Sequence, residues 1–518
     1  MATVALEMPS PQTGEPPSTA RICTLLFWTW LPLRTLLWTV IASVTQPNAP
    51  LDLIEWLAWG REWQWGYHKH PPLPAWIAET FFQFAGGRVW GVYLASYLCT
   101  AVCLWCVWRL GCVLATPRRA LLAALALEGL IFFNYDTAEF SNNVVLNATW
   151  ALMILCFYHA TRTQQWRWWI VTGFVIGLGL LCKYTLAFGL LPLLLFLLWR
   201  PETRTWRVLA GVCLMGATAF VVFVPHLVWM VRHDFITITY GLERSASDKT
   251  VWTHIKNPLL FSLSQIGRLL PVALILLPLT GWLWRRRRAG ATGRFNRDYL
   301  LAAVLGPAVL LLLLSLTTGM QLREIWGSPL WTYSPLLLLL ALKISDAPAA
   351  WKWSWRLVGV VAAGFIILAL VKNYGEPHWD GQPGRIHFAG KQLATEATQR
   401  YVARFGEPFP VAVGECWLAG NVSCYAPQRP SMYSSGAVGY CYLDAKAAPW
   451  VTEEEIRHRG AVLLWDADEL GDELPQIIRN HFPDAETQPP IVLTYPQLPN
   501  VPPGRIGLAF QPPRKGEQ

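Results

Sequence analysis

Long apolar runs broken by short charged connectors make up the first 374 residues of the chain. A helix needs about 20 mostly apolar residues to cross a bilayer, so the pattern predicts about eleven spans. They fall at 22–45, 88–113, 119–135, 144–161, 167–183, 185–200, 207–231, 258–284, 299–318, 328–345 and 356–374. The first run is too long for the core of a signal peptide, and no small-residue cleavage site follows it. It reads as a retained anchor behind a short tail, 1–21. Beyond Tyr374 the pattern becomes mixed polar and apolar. Helical periodicity runs over 390–405, and short apolar stretches at 410–414, 461–465 and 491–495 read as strands. The expected fold is a polytopic α-helical membrane module, 22–374, followed by a small α/β domain, 375–518.

Composition agrees with the pattern. Hydrophobic residues make up 53% and charged residues 14%, against about 25% charged in soluble globular chains. A net charge of +9 would suit a nucleic-acid partner, but the basic residues cluster in short connectors, as the positive-inside rule requires. Arg118 and Arg119, Arg162 and Arg167, the group Arg200, Arg204 and Arg207, the run Arg285 to Arg288 with Arg294 and Arg297, and Lys343, Lys352 and Arg356 occupy alternate connectors. That face is expected to be the cytoplasm, with the tail 1–21 on it. The C-terminal domain then lies in the periplasm of a multi-pass bacterial inner-membrane protein. Membrane lipids are the expected surroundings, and no nucleic acid is expected. Eight cysteines lie in or beside apolar runs; Cys416, Cys424 and Cys441 lie in the tail domain. A periplasmic domain permits a disulfide, and Cys416 with Cys424 is the expected pair.

Two connectors on the outer side are long, 46–87 and 231–257, and long connectors in a compact protein tend to be functional. The first is rich in Trp, and Leu57, Trp59, Trp63 and Trp65 are expected to lie along the membrane surface. It also carries Asp52 and Glu55, three apart on one helical face. Lys69 and His70 stand before the rigid Pro71-Pro72 turn. A carboxylate and a cation in one outer connector suit a general base and an anion binder. Charge alone favours the plainer reading, an acidic loop residue and a snorkelling lysine. Near water and Lys69, Asp52 is expected to stay ionised at neutral pH. Further candidates face the same side: Asp136, Glu139 and Asn143, Lys183 at the end of the fifth span, Arg244 in the second long connector, and Arg268 within the eighth span. An arginine at that depth calls for an anionic partner. Outer cations beside carboxylates suggest a pocket for a lipid-linked phosphate.

The element His70-Pro71-Pro72-Leu73 with Asp52 upstream resembles the polyprenyl-phosphate-sugar-dependent glycosyltransferases of the GT-C class. That class includes protein O-mannosyltransferases, the lipid A aminoarabinose transferase and the rhizobial lipopolysaccharide galacturonosyltransferases. The likeness continues through Phe140-Ser141-Asn142-Asn143, Lys183-Tyr184, Pro225-His226 with Trp229, His233-Asp234-Phe235 and Trp326-Gly327, over roughly residues 45 to 330. The resemblance implies that Asp52 deprotonates the acceptor hydroxyl, with Glu55 as second choice. It also implies that Lys69 helps hold the donor phosphate, together with Arg244 or Arg268 from a later outer segment; His70 and Lys183 are further candidates for that role. Two departures matter. Leu53 follows Asp52 where many members have a second acidic residue, and Asn143 stands where many carry a carboxylate. Asp136 or Glu139 would then supply the second carboxylate, which leaves open whether a divalent metal ion takes part.

The expected activity is an inverting transfer of one sugar from a polyprenyl-phosphate donor to an envelope acceptor at the periplasmic face. The acceptor is lipid A, core oligosaccharide, another lipid or a protein. The alternative is a transporter or flippase for a lipid-linked glycan. It would call for broken helices, repeated halves and polar groups in mid-membrane.

Overall fold

The structure, a computed structural model, describes residues 16–245, 250–280, 293–342, 344–345, 347–381, 384–434, 443, 445–495, 498 and 500–514. Arg285 to Arg288, Lys343 and Cys441 lie outside these residues, as do 1–15 of the tail and 246–249 of the second long connector. The membrane module is built from α1 (Pro17–Thr45), α2 (Leu51–Gly60), α3 (Leu73–Phe84), α4 (Trp90–Leu114), α5 (Pro117–Leu125), α6 (Asn142–Thr163), α7 (Trp166–Leu180), α8 (Leu186–Trp199), α9 (Trp206–Arg232), α10 (Ile236–Ser245), α11 (Thr253–Leu276), α12 (Arg294–Thr318), α13 (Ser334–Ala341) and α14 (Pro348–Leu370). Among the described residues seven helices are long and apolar enough to cross a membrane, or up to eight if each bent pair is one span. Leu25, Leu33, Val221, Leu263 and Leu313 are exposed on the outer faces of α1, α9, α11 and α12, as a lipid environment favours.

Three predicted spans take other shapes. The run 119–135 is broken into Pro117–Gly129 and Ile131–Ala138, which turn by 96°. Carbonyls released at the break find side-chain donors: Asn134 donates to the Glu128 carbonyl at 2.9 Å, and Arg34 of α1 donates to the Phe133 carbonyl. Arg34 also pairs with the Glu128 carboxylate at 2.5 Å, and both side chains are almost wholly buried. The run 328–345 yields only the short α13, because Pro329 and Pro335 restrict the backbone before it. The run 167–183 ends early, at Leu180, and a turn carrying Lys183 separates α7 from α8.

After α15 (Glu376–Asp380) the chain forms the C-terminal domain. Its elements are α16 (Gly390–Phe405), β1 (Val411–Gly414), α17 (Cys416–Tyr425), β2 (Ser431–Tyr433), α18 (Glu453–Arg459), β3 (Ala461–Asp466), α19 (Ala467–Leu470), α20 (Gln476–His481), β4 (Glu486–Leu493) and β5 (Gly504–Gln511). The sheet order is β2-β1-β3-β5-β4, parallel across β2-β1-β3 and antiparallel at β5 and β4. The expected helix and three strands are present; β2 is too short to show alternation, and β5 was also missed.

This domain packs on the end of the bundle that carries α2. Arg429 donates to the Leu57 carbonyl at 3.0 Å and pairs with Glu79 of α3 at 2.9 Å. Gly390 is required by the close approach: a Cβ there would lie 2.1 Å from Asn421 Oδ1 and 2.6 Å from Asn48 Oδ1. Two expectations fail in this region. Leu57 and Trp59 are fully buried rather than lying on a membrane surface, because α17 covers α2; only Trp63 and Trp65 remain exposed. Cys416 and Cys424 are both free thiols. They stand at opposite ends of α17, about 12 Å apart along its axis, beyond the reach of a disulfide.

Candidate functional site

Local sequence sets the first wall of the site. Pro50 occupies the cap position of α2, so Asp52 enters in its first turn and Glu55 follows one turn later. The Pro71-Pro72 turn starts α3, and the Leu73 N–H donates to the Leu181 carbonyl at 2.9 Å. That bond brings the turn bearing Lys183 beside the turn bearing Lys69 and His70. Tyr184 locks the next wall: its hydroxyl is 2.7 Å from His226 Nε2 and 2.7 Å from Thr237 Oγ1. Asp234 and Phe235, at φ of 52° and 54°, turn the chain from α9 into α10. Tyr240 and Arg244 of α10 thereby reach the site.

Two cavities adjoin here. The first, about 700 Å³, is lined by Asp52, Glu55, Lys69, His70, Asn142, Asn143, Lys183, Tyr240, Arg244, Arg323, Trp326 and Arg385, among others. The second, about 1000 Å³, is lined by Asp52, Asp136, Glu139, Asn143, Arg244, Arg268, Glu324, Lys372, Glu376, Arg385 and their neighbours. Asp52, Asn143, Arg244 and Arg385 belong to both.

Within the first cavity, Lys69 Nζ is 2.5 Å from Glu55 Oε1, and the Cys416 thiol donates to the same oxygen at 3.3 Å. Burial works to lower the Lys69 pKa, but the Glu55 carboxylate outweighs it and holds the ammonium charged. His70 is pushed well below the ordinary range, first by burial and then by Lys183 and Lys69. Its neutral ring stacks on Trp56 at 5.6 Å and lies 3.2 Å from Asn142 Nδ2. Lys183 donates to Asn143 Oδ1 at 2.7 Å and stands 5.5 Å from the centre of the Trp326 ring.

Asp52 departs from expectation. Burial, then the Glu139 and Glu55 carboxylates, push its pKa up to about 7, against the pull of Lys69 and Lys183. Lys69 forms its ion pair with Glu55 and not with Asp52. Glu139 is also raised, mainly by burial, and accepts the Asp52 backbone N–H.

Arg268 does not line the Lys69 cavity. It stands in the second one between Asp136 at 3.5 Å and Glu324 at 2.5 Å, with Phe132 under its guanidinium at 4.7 Å. The anionic partner that its depth required is therefore present. Sequence reasoning missed Arg323, Arg385 and Tyr240. Arg323 neighbours the Trp326-Gly327 element and could have been taken with it; Arg385, in the linker past α14, carried no local signal. Among the described residues no three His, Cys, Asp or Glu side chains converge as a metal-binding group.

With this geometry established, comparison with known proteins adds three findings. The family described as dolichyl-phosphate-mannose-protein mannosyltransferase matches residues 69–229. The lipid A galacturonosyltransferase RgtD of Rhizobium johnstonii is 24% identical over 283 residues, 52% of this chain and 55% of that one. The lipopolysaccharide core galacturonosyltransferase RgtB of the same organism is 23% identical over 384 residues, 71% of this chain and 75% of that one. This chain thus spans about half the length of the first relative and about three quarters of the second. Crystal structures of ArnT from Cupriavidus metallidurans share the fold. The apo form has a TM-score of 0.62 at 13% identity, covering 95% of this chain and 99% of that one. The form bound to undecaprenyl phosphate has a TM-score of 0.53 at 14% identity, with the same coverage. The fold is a polytopic α-helical membrane module of GT-C type with a small C-terminal α/β domain.

Proposed function

We propose that this chain, built on the GT-C glycosyltransferase fold, moves a monosaccharide from a polyprenyl-phosphate donor to a hydroxyl of an envelope acceptor. The observation that carries this is the position of Asp52, the carboxylate at which a cation-rich cavity meets a charge-balanced one. The relatives support the class of reaction: two are named for sugar transfer to lipid A or the lipopolysaccharide core, and a structure of the same fold holds undecaprenyl phosphate.

The donor occupies the first cavity, with its phosphate toward Arg244, Arg323 and Arg385. The acceptor hydroxyl enters from the second. Asp52 accepts the hydroxyl proton as the acceptor oxygen forms its bond to the anomeric carbon. The bond from that carbon to the phosphate oxygen breaks, and its electron pair stays on the oxygen. The products are an inverted glycoside and the polyprenyl phosphate, with the proton on Asp52 passing later to solvent. Cations aimed at the charge developing on the leaving phosphate lower the barrier. Burial and the Glu139 carboxylate raise the Asp52 pKa most, and the nearby Glu55 and Lys69 act on it in opposite senses. The reaction takes place at the face carrying the C-terminal domain, read as the periplasmic side of the inner membrane.

The test is Asp52→Asn in the full-length protein, assayed for sugar transfer to extracted envelope glycolipid. The variant should insert and bind donor, yet lose transfer by about 10²–10⁴-fold, the range for loss of a general base. Near-normal transfer would remove Asp52 from the role.

A further inference from the structure

A pocket at the far end of the membrane module has no part in the transfer described above. Arg162 stands in the last turn of α6 and Asn143 in its first, about 28 Å apart along the helix axis. Arg162 therefore lies near the membrane face opposite the candidate site. The pocket there, about 620 Å³, is lined by Arg162, Arg200, Glu202, Arg294, Phe295 and Asn296, among others. None of its lining residues lines either of the two cavities. The Phe295 ring supports two of the arginines, with the Arg162 guanidinium 4.9 Å and the Arg200 guanidinium 5.9 Å from its centre. Glu202, the carboxylate in the lining, is held by Arg200 at 2.5 Å, and Arg200 also pairs with Asp298 at 2.9 Å. Arg162 and Arg294 are exposed, and among the described residues neither is in an ion pair.

An apolar groove of about 460 Å³ runs between α8 and α12 beside this pocket. The two helices meet closely at Pro192 and Gly306, where a Cβ on Gly306 would lie 2.5 Å from Pro192 Cβ. Leu195, Trp199, Val309 and Leu313 stand exposed along the groove. Groove and pocket join. Phe196 of the groove meets Phe295 of the pocket edge to face, with ring centres 5.2 Å apart, and Trp199 directly precedes Arg200. A groove suited to a hydrocarbon chain thus ends on unpaired cations at the level of a lipid headgroup. Basic pockets between helices at a membrane face bind anionic headgroups. The N-terminus of α12, which begins at Arg294, adds the positive end of its dipole.

We propose that pocket and groove together bind one anionic glycerophospholipid, in the leaflet opposite the candidate site. Its phosphodiester lies between Arg162 and Arg294, and an acyl chain lies between α8 and α12. This lipid is a bound ligand and not a substrate, because the length of α6 separates it from the cavities at Asn143. A zwitterionic headgroup fits less well. Among the described residues Glu202 is the carboxylate lining the pocket, and Arg200 already engages it, so the ammonium of such a headgroup finds no partner. Once bound, the lipid ties the ends of α6, α8 and α12 together at that face.

The experiment is native mass spectrometry of the full-length protein, released from detergent micelles that hold equal amounts of dioleoyl phosphatidylglycerol and dioleoyl phosphatidylethanolamine. The wild type should retain phosphatidylglycerol over phosphatidylethanolamine by about tenfold to thirtyfold, the worth of two basic side chains near an anionic headgroup. Arg162→Gln combined with Arg294→Gln should abolish that preference. Val309→Trp, which fills the groove with an indole, should lower the retention of both lipids alike. Inorganic phosphate at the concentration of the lipid should displace neither. Equal retention of the two lipids by the wild type overturns the proposal. So does a preference that survives the double variant, which places the lipid elsewhere on the protein. Unchanged retention in Val309→Trp, or displacement by inorganic phosphate, also overturns it and leaves a site for a small anion. Should the double variant not fold, the wild-type preference and Val309→Trp decide.

Discussion

The two cavities share Asp52, Asn143, Arg244 and Arg385, yet they handle charge differently. In the second, Arg268 bridges Asp136 and Glu324, and Lys372 pairs with Glu376 at 2.7 Å. Arg268 and Lys372 are thus paired by the protein itself, while Arg244 and Arg385, shared with the first cavity, are in no ion pair among the described residues. In the first, one cation is paired and four are not. A surface that already satisfies its own charges gains little from an ionic ligand and suits hydroxyl groups. A surface with unpaired cations binds an anion well, because the desolvation of those cations has already been met by folding. On the function proposed above, the contrast sets a donor side against an acceptor side, with the shared carboxylate Asp52 between them.

The sharpest way to break the comparison is Asp52→Asn, with the loss of about 10²–10⁴-fold in transfer given above and donor affinity retained. A loss of donor binding instead would make Asp52 part of the first cavity alone. Next in size is the neutralised pair. Glu55→Gln frees Lys69 and removes one of the carboxylates that raise Asp52, and a buried cation left unpaired is costly. Turnover should fall by about tenfold or more, as read by initial rates at saturating donor. Lys69→Ala should be comparably harmful, since it leaves the Glu55 carboxylate without its partner; recovery at high donor concentration would instead assign the lysine to the phosphate.

The pH profile sharpens the same point. Asp52 must be ionised to accept a proton, and its pKa is raised to about 7. Transfer at low substrate should therefore be lost as pH falls through about 7, and reach a plateau above it. Glu139 is the carboxylate that raises Asp52 most, so Glu139→Gln should move the midpoint to lower pH. An unchanged midpoint would mean that another group governs the profile. The smallest effect is expected at Arg268→Ala. Donor KM should stay within about twofold, while acceptor KM rises several-fold through loss of the Asp136 and Glu324 pairing. A rise in donor KM alone would return Arg268 to the phosphate and dissolve the distinction between the cavities.

Much of the fold was legible in the chain. The apolar runs at 22–45, 88–113, 144–161 and 207–231 became long helices, and α16 covers the predicted 390–405. The reason is that run length and helical period are local properties. The run 119–135 failed as a single span where a distant group intervened. Arg34 donates to the Phe133 carbonyl and pairs with the Glu128 carboxylate beside the break near Leu130, and that stabilisation is invisible to a window of about 20 residues.

The site divides in the same way. Sequence by itself determined that Asp52, Glu55, Lys69, His70 and Lys183 share one face, because each lies at or beyond the end of an apolar run. Only the tertiary structure decided their chemistry. Glu55, and not Asp52, holds Lys69; Arg268 belongs to the other cavity; Cys416 donates to Glu55 across 361 residues of chain instead of bridging to Cys424. Pairing and pKa depend on distance and on exclusion of water, and both are set by segments far apart in sequence that folding brings together.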